Sequence, residues 1–137
     1  MCTIDINNAY DCVQLQILSD ILRNIMVCIE LLNWIINFLS NRNCCLGNDN
    51  VTVFNGLPQG SYLGPLPFNI YTARLHLLED SKTKILQFAD DFIILSWANY
   101  FDYVAANLHS KIMDFKLQCA ELNLSFNLDK TKCLYFA

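Results

Sequence analysis

Gln87-Phe88-Ala89-Asp90-Asp91-Phe92 is the stretch that decides the fold, because it places two adjacent carboxylates between two apolar runs. Ile85-Leu86 precedes the pair and Phe92-Ile93-Ile94-Leu95 follows it, and short runs rich in Ile, Leu and Phe are typical of β-strands. Aspartate is a turn former and a poor strand residue. The stretch therefore predicts a tight β-hairpin with Asp90 and Asp91 at its tip.

An Asp-Asp pair taken alone is explained by an ordinary turn, but two other stretches favour a function. Asp5 closes the short apolar strand Thr3-Ile4-Asp5-Ile6, and Gly56-Leu57-Pro58-Gln59-Gly60-Ser61 lies between this strand and the hairpin. Carboxylates at the end of one strand and at the tip of an adjacent hairpin are suited to hold divalent metal ions.

The bulk composition indicates a globular domain with a real core. The chain has 137 residues, of which 54% are hydrophobic and 16% charged, and this excludes an intrinsically disordered segment. The net charge of −4 is unusual for a protein that grips nucleic acid, because phosphate contacts need Lys and Arg. Either the basic surfaces belong to parts not included here, or the chain binds nucleic acid poorly. Bound divalent metal would cancel a local acidic cluster.

The seven cysteines indicate reduced thiols in an intracellular protein. Their number is odd, no Cys-x-x-Cys pair occurs, and the adjacent Cys44-Cys45 has the wrong spacing for a zinc site. We expect no signal peptide, because Asp5 falls where its apolar region would begin. The longest apolar stretch, residues 25–39, is too short to span a bilayer. Nucleus and cytoplasm are not distinguished by the sequence, and neither is an oligomeric state.

Hydrophobic periodicity predicts helices interleaved with short strands. Helices are predicted over residues 15–24, 29–40 and 99–122, and a further one starts within residues 60–67, with Ser61 as its N-cap, and runs to Leu78. Strands beside the hairpin are predicted over residues 1–6, 51–54, 124–126 and 132–136. Residues 41–50 are predicted to form a loop, and residues 29–40 a largely buried helix with one polar stripe. This order predicts an α+β fold with an antiparallel sheet and helices packed on one face.

Three stretches, in order and rough spacing, resemble the successive palm motifs of reverse transcriptases, and most closely those of non-LTR (LINE-type) retrotransposons. They are Asp5-Ile6-Asn7-Asn8-Ala9-Tyr10-Asp11, then Gly56-Leu57-Pro58-Gln59-Gly60-Ser61 with Leu63-Gly64-Pro65 behind it, and Phe88-Ala89-Asp90-Asp91 (the FADD motif). Residues 127–131 resemble the next motif of that palm. Each motif is weak alone, but together they make a strong signal over nearly the whole chain. The resemblance implies a partial polymerase palm over residues 1–137, without fingers or thumb.

The resemblance implies an RNA-directed DNA polymerase, a nucleotidyltransferase that adds deoxynucleotides to a primer 3′ end. Its partners would be an RNA template, a DNA primer and deoxynucleoside triphosphates, with no membrane. By the family's pattern Asp5, Asp90 and Asp91 are catalytic and bind two Mg²⁺ ions, for which Mn²⁺ can substitute. Two ions about 3.5–4 Å apart stabilise the entering and leaving oxygens of phosphoryl transfer. The alternative is that Asp5 merely ends a strand and the Asp pair merely turns the chain.

Four further positions have a role implied by the resemblance and an ordinary structural alternative. Tyr10 would lie under the nucleotide sugar and exclude a 2′-hydroxyl, or be a core aromatic. Gln59 and Gly60 would line the nucleotide and template pocket, or form a turn before a helix. Lys130 would face the triphosphate as a general acid, or be a solvated lysine, and Lys132 is the alternative occupant of that role.

The chain also departs from the family's pattern. Phe88 stands where the family usually has Tyr, and Pro67 replaces an apolar helix former at a cost if it lies beyond the first turn. The alternative function is an inactive, decayed or domesticated transposon fragment that retains only the palm fold; an unrelated metal-binding α+β domain would make the motif order a coincidence. We expect Asp11 to cap the following segment, and His76 and His109 to lie on helix surfaces without a partner cluster.

Overall fold

The computed structural model describes residues 1–25, 28–47 and 49–136, and the chain divides into two compact units. The first unit comprises Met1–Ala9 and Thr72–Ala137, and the second comprises Tyr10–Tyr71. In chain order the elements are β1 (Cys2–Asp5), α1 (Leu15–Ile25), α2 (Ile29–Leu39), β2 (Arg42–Leu46), β3 (Asp49–Val53), α3 (Pro65–Thr72), a 3-10 helix (Ala73–Leu78), β4 (Thr83–Phe88), β5 (Asp91–Ser96), α4 (Phe101–Glu121) and β6 (Lys132–Cys133).

The first unit is built on a four-stranded antiparallel sheet with the strand order β4-β5-β1-β6. One face of this sheet is buried, because Ile4 and Phe92 lie opposite each other in the register and are 1% and 0% exposed. Phe92 meets Phe115 of α4 edge to face, with ring centroids 5.2 Å apart, a geometry that aromatic pairs prefer. The predicted antiparallel sheet with a helix packed on one face is confirmed.

Helix α4 confirms the helix predicted over residues 99–122, and its end explains why the next predicted strand was wrong. Asn123 has φ +55°, and the Leu124 N–H donates to the Cys119 carbonyl at 2.8 Å. This is a Schellman motif, in which asparagine tolerates the left-handed conformation and the next apolar residue packs back on the helix. Leu124 is therefore buried as part of the helix cap, and Phe126 forms only an isolated bridge to Ile6.

In the second unit, α1 and α2 confirm the two helices predicted there, but α2 is not largely buried. Only Leu32 and Leu39 are buried, whereas Trp34 and Phe38 are 55% and 43% exposed and stack on each other with centroids 5.9 Å apart. A helical period shows which side chains share a face but not how much of that face a neighbour covers.

The predicted loop over residues 41–50 was wrong, because β2 and β3 form an antiparallel hairpin that pairs Arg42 with Val53 and Leu46 with Asp49. Gly47, at φ +62°, turns the chain between them. The Thr52 hydroxyl donates to the Asn43 side chain at 2.9 Å. The side chains that the structure describes in this ribbon are mostly exposed, so they form no buried face whose apolar alternation could have revealed it.

The helix predicted to start within residues 60–67 is shorter than expected. It begins at Pro65, and from Ala73 the chain continues as a 3-10 helix to Leu78. Ser61 is not its N-cap: the Ser61 hydroxyl instead accepts from the Leu63 N–H at 3.2 Å. Pro67 lies in the first turn, where a missing N–H costs no helical hydrogen bond.

The last predicted strand is also short, since only Lys132 and Cys133 of residues 132–136 pair with β1. Of the helices in the described part of the chain, none combines the length and the apolarity needed to cross a bilayer. All seven cysteines are free thiols, as predicted.

The packing predicts that two thiols resist alkylation in the folded chain. Cys2 and Cys119 are 0% and 1% exposed, and burial raises the pKa of each thiol to about 12, which suppresses the reactive thiolate. We expect iodoacetamide at neutral pH to modify the exposed Cys44, Cys45 and Cys133 first, as measured by peptide mass spectrometry. Denaturant should equalise the rates, and rapid native labelling of Cys119 would contradict the packing of α4 on the sheet.

Candidate active site

Two carboxylates lie opposite each other where β1 and β5 run side by side. The register pairs Asp5 with Asp91 and Ile4 with Phe92. Because opposite residues share a sheet face and successive residues alternate between faces, Asp5 and Asp91 lie on the face away from the buried Ile4 and Phe92. Like charges directly opposite each other destabilise a strand pair, so a cation at this place would relieve the repulsion.

Asp90 lies in the turn of the predicted hairpin, which β4 and β5 confirm. Phe88 pairs with Asp91 and closes a two-residue turn of Ala89 and Asp90; we call residues 88–91 the carboxylate turn. Asp91 is not at the tip as predicted, because it pairs with both Phe88 and Asp5 and so begins β5.

The carboxylate turn carries backbone strain. Ala89 has φ +53°, a left-handed conformation that costs an L-residue with a Cβ roughly 1–2 kcal/mol relative to the right-handed one. The Gln87 side chain donates from Nε2 to the Ala89 carbonyl at 3.0 Å. Strained conformations persist only where their surroundings hold them, and they cluster at functional sites.

Lys130 approaches Asp5 from a turn that follows α4. The Asn127 N–H donates to the Asp5 carbonyl at 2.8 Å, and the Thr131 N–H and hydroxyl donate to the Asn127 carbonyl at 3.0 and 2.8 Å. This turn places the Lys130 Nζ 3.3 Å from the Asp5 Oδ1. The lysine side chain is 66% exposed, so the ion pair is worth less than about 1 kcal/mol and is readily exchanged. Lys132 lies on β6 opposite Thr3.

The donor chemistry of the three aspartates fits a divalent metal, although their present rotamers do not form a closed site. Among the residues that the structure describes, no three His, Cys, Asp or Glu side chains converge closely enough to hold a metal ion. Asp5, Asp90 and Asp91 supply the hard carboxylate oxygens that Mg²⁺ prefers. A metal ion held by all three carboxylates would need other rotamers of these side chains, and the Lys130 ammonium would compete with it for the Asp5 Oδ1.

The other predicted site residues belong to the second unit. The ring of Tyr10 is half-buried and stacks on the fully buried Phe68, with centroids 4.7 Å apart and planes inclined by 16°. The Tyr10 carbonyl accepts from the Leu57 N–H at 2.8 Å, which joins the Tyr10 segment to the Gly56–Ser61 segment.

Gln59 and Gly60 are both exposed. The Gln59 Nε2 donates to both carboxylate oxygens of Asp11, at 3.3 and 3.4 Å, so Asp11 orients Gln59 instead of capping the next segment as expected. Gly60 has φ +78°, and the position of a Cβ there would be in open space. The backbone conformation, and not crowding, is what favours glycine at this position.

Arg42 is a structural residue of this region that the sequence did not reveal. Its guanidinium donates to the carbonyls of Leu39, Asn55 and Gly56, at 3.1, 2.8 and 2.7 Å. It thereby anchors the chain that leads into Gln59. Because residues 41–50 were predicted to be a loop, no role was assigned to it.

Gln87 and His76 form a second contact that was missed. The Gln87 Nε2 donates to the Thr72 hydroxyl at 3.0 Å, and the His76 Nε2 lies 3.1 Å from the Gln87 Oε1. The expectation that His76 lacks partners was therefore wrong, whereas His109 is exposed as predicted. The sequence did contain an indication of these contacts. Gln87 lies two residues after the buried Ile85 and so shares its face of the sheet, and a polar residue on a buried face needs hydrogen-bond partners.

The predicted site residues thus form two groups. Asp5, Asp90, Asp91 and Lys130 belong to the first unit, and Tyr10, Gln59 and Gly60 belong to the second.

Comparisons with known proteins agree with this architecture. The family model for reverse transcriptase (RNA-dependent DNA polymerase) matches residues 1–135. The probable RNA-directed DNA polymerase from transposon BS of Drosophila melanogaster is 32% identical in an alignment of 82 positions, and the match covers 56% of this chain and 9% of that protein. The structure of apo telomerase from Candida tropicalis, truncated from the C-terminal domain, matches 96% of this chain and 29% of its own, with a TM-score of 0.72 and 16% identity. The last likeness confirms the predicted α+β fold.

Replacing Ala89 with glycine should stabilise the folded chain. Glycine adopts positive φ without the Cβ penalty, and after its larger loss of backbone entropy we expect a net gain of about 0.5–1 kcal/mol in the free energy of unfolding, measured by urea denaturation. Ala106, which is exposed in α4, provides the control, since Ala106→Gly should cost about 1 kcal/mol. A loss of stability in Ala89→Gly would contradict the left-handed turn.

Proposed function

This chain belongs to the reverse transcriptase family, and we propose that residues 1–137 act as the palm of an RNA-directed DNA polymerase that adds deoxynucleotides to a primer 3′ end. The observation that carries the proposal is the pairing of Asp5 with Asp91 beside the turn of Ala89 and Asp90, which is strained at Ala89. The chain spans only 9% of the length of its transposon relative. We therefore propose an RNA template, a DNA primer and deoxynucleoside triphosphates as the partners of this chain.

The proposed ligands of two Mg²⁺ ions, or of Mn²⁺ in their place, are Asp5, Asp90 and Asp91. Reverse transcriptases generally use divalent metal ions, and when bound these supply positive charge to the attacking and leaving oxygens of phosphoryl transfer. The chain's contribution is to hold three carboxylates on adjacent strand ends. The repulsion between Asp5 and Asp91, directly opposite in the register, supports a cation at this place.

Lys130 has two proposed roles that follow one another. In the absence of metal its ammonium balances the charge of Asp5 at 3.3 Å. Because the lysine side chain is largely exposed, its release costs little. Once released, the ammonium would donate a proton to the leaving pyrophosphate as a general acid.

The proposed nucleotide-binding residues are Tyr10, Gln59 and Gly60. The stacking of Tyr10 on Phe68 supports a fixed ring whose edge excludes a 2′-hydroxyl, and so selects deoxynucleotides by steric clash. Gln59 is oriented by Asp11, and its amide offers both a donor and an acceptor. The open space around Gly60 supports a close approach of the backbone to a ligand.

The proposal predicts metal binding that depends on the carboxylate turn. Asp90→Asn should lower Mn²⁺ affinity by more than about tenfold, because loss of even a supporting partner of a ligand has effects of that size. Mn²⁺ electron paramagnetic resonance measures this affinity, and Asp114→Asn, which removes an exposed carboxylate from α4, is the matched control. Equal affinities of the parent and Asp90→Asn would contradict the site.

Primer extension on an RNA template, with Mg²⁺ or Mn²⁺, tests the activity itself. We expect extension by the parent and none by the Asp90→Asn, Asp91→Asn double variant, because two of the three proposed ligands are lost. Carboxylate-dependent Mn²⁺ binding without extension by the parent would instead favour the alternative, a fragment that retains the palm fold without catalysis.

The Lys130 contact predicts competition between the ammonium and the metal for Asp5. Lys130→Met should tighten Mn²⁺ binding by up to about fivefold. This factor corresponds to the free energy of about 1 kcal/mol that an exposed ion pair contributes at most. Lys132→Met removes the same charge from the neighbouring strand without breaking a contact to Asp5, and it should have a smaller effect. Equal affinities of the two lysine variants would show general electrostatics instead of competition at Asp5.

A further inference from the structure

We infer that Gln87 is a positioning residue for the metal-binding carboxylates, and that Thr72 and His76 act through it by fixing its amide. The inference rests on the proposed function, because it concerns the same carboxylate turn. Gln87 acts on the turn through a backbone carbonyl. Its target is the Ala89 carbonyl, directly before Asp90 in the chain.

The orientation of the Gln87 amide follows from its partners. A carbonyl oxygen can only accept, so the amide nitrogen must face Ala89, at 3.0 Å. The amide oxygen then faces the His76 Nε2, at 3.1 Å, which donates to it. The same amide nitrogen also reaches the Thr72 hydroxyl, at 3.0 Å. Reversing the amide would place two acceptors against each other at Ala89.

The turn needs such a restraint for two reasons. Ala89 is held at φ +53°, which an alanine leaves readily when nothing opposes it. Asp90 and Asp91 also place two like charges next to each other, with Asp5 opposite the second one on β1, and this repulsion disfavours the close approach of the three carboxylates. A hydrogen bond to the carbonyl at the strained residue opposes both tendencies where they act.

The partners of Gln87 are themselves fixed. Thr72 is fully buried at the end of α3, and His76 lies on the 3-10 helix. That helix is attached to β4 through Glu79, whose carboxylate accepts from the Lys84 ammonium at 2.8 Å and from the Ile85 N–H at 3.0 Å. The Gln87 amide is therefore held in place by other elements of the first unit and not by the turn alone.

The opposite end of the same hairpin offers a matched control. Asn107 of α4 donates to the Thr83 hydroxyl at 3.0 Å and to the Ser96 hydroxyl at 2.9 Å. It holds β4 and β5 together as Gln87 holds their turn, but Thr83 and Ser96 pair at the end of the ladder remote from Ala89. Loss of Asn107 reports the effect of a weakened hairpin without a freed turn.

The test compares Mn²⁺ affinity among variants of the full chain. Gln87→Met keeps the length of the side chain and removes its hydrogen bonds, and we expect it to weaken Mn²⁺ binding by about tenfold, as loss of a supporting partner does. Thr72→Val should act in the same direction, more weakly, and should add little to Gln87→Met. Adding Ala89→Gly to Gln87→Met should restore the affinity to within about twofold of the parent, since glycine needs no restraint at positive φ. Asn107→Leu should leave Mn²⁺ affinity unchanged.

Three results would overturn the inference, and two of them concern Mn²⁺ affinity. One is an unchanged Mn²⁺ affinity in Gln87→Met, and the other is a loss that Ala89→Gly does not restore, since that would assign Gln87 to general stability. The backbone coupling constant of Ala89 by nuclear magnetic resonance is a readout that needs no metal, and positive φ retained in Gln87→Met would equally refute the restraint. If Asp90→Asn leaves parental Mn²⁺ binding intact, the proposed function fails, and this coupling constant alone then decides the role of Gln87.

Discussion

The placement of Asp5 directly opposite Asp91 is the constraint on which the rest of the first unit depends. Two like charges in register destabilise a strand pair, so the sheet must gain its stability elsewhere. It does so on the other face, where Ile4 and Phe92 are buried and Phe92 meets Phe115 of α4. The alternation of the strands lets one face carry the packing while the other carries the charge.

The hairpin turn likewise depends on contacts made outside the strands that it joins. Short antiparallel strands set where Asp91 lies, but the conformation of Ala89 is unfavourable by itself. Thr72 of α3 and His76 of the 3-10 helix fix the Gln87 amide. Through Gln87 they stabilise a conformation that strand pairing alone does not stabilise. Lys130 is treated differently, because it is held only by a turn and an exposed ion pair and so remains free to exchange partners.

Much of this arrangement was predictable from the sequence, and the exceptions share a physical cause. The carboxylate hairpin, the long helix after it and the antiparallel sheet were visible because their apolar residues repeat at the strand or helix period. The β2–β3 ribbon was predicted to be a loop because most of its described side chains are exposed. Leu124 was assigned to a strand although it caps α4. Asp5, Asp90, Asp91 and Lys130 were predicted as site residues by motif. Gln87, His76 and Arg42 were not predicted, because they act through contacts distant in sequence.

The contacts that anchor the β2–β3 ribbon lie at its base, and their position determines where the chain tolerates a change in length. Arg42, at the base, binds three backbone carbonyls, so the spacing between α2 and Gly56 is constrained there. The strand residues nearer Gly47 are mostly exposed and pair only with each other. Exposed hairpin tips of this kind accept inserted residues at small free-energy cost. The ribbon is therefore the natural place for related chains to differ in length, and for a label or an affinity tag to be inserted without disturbing either group of predicted site residues.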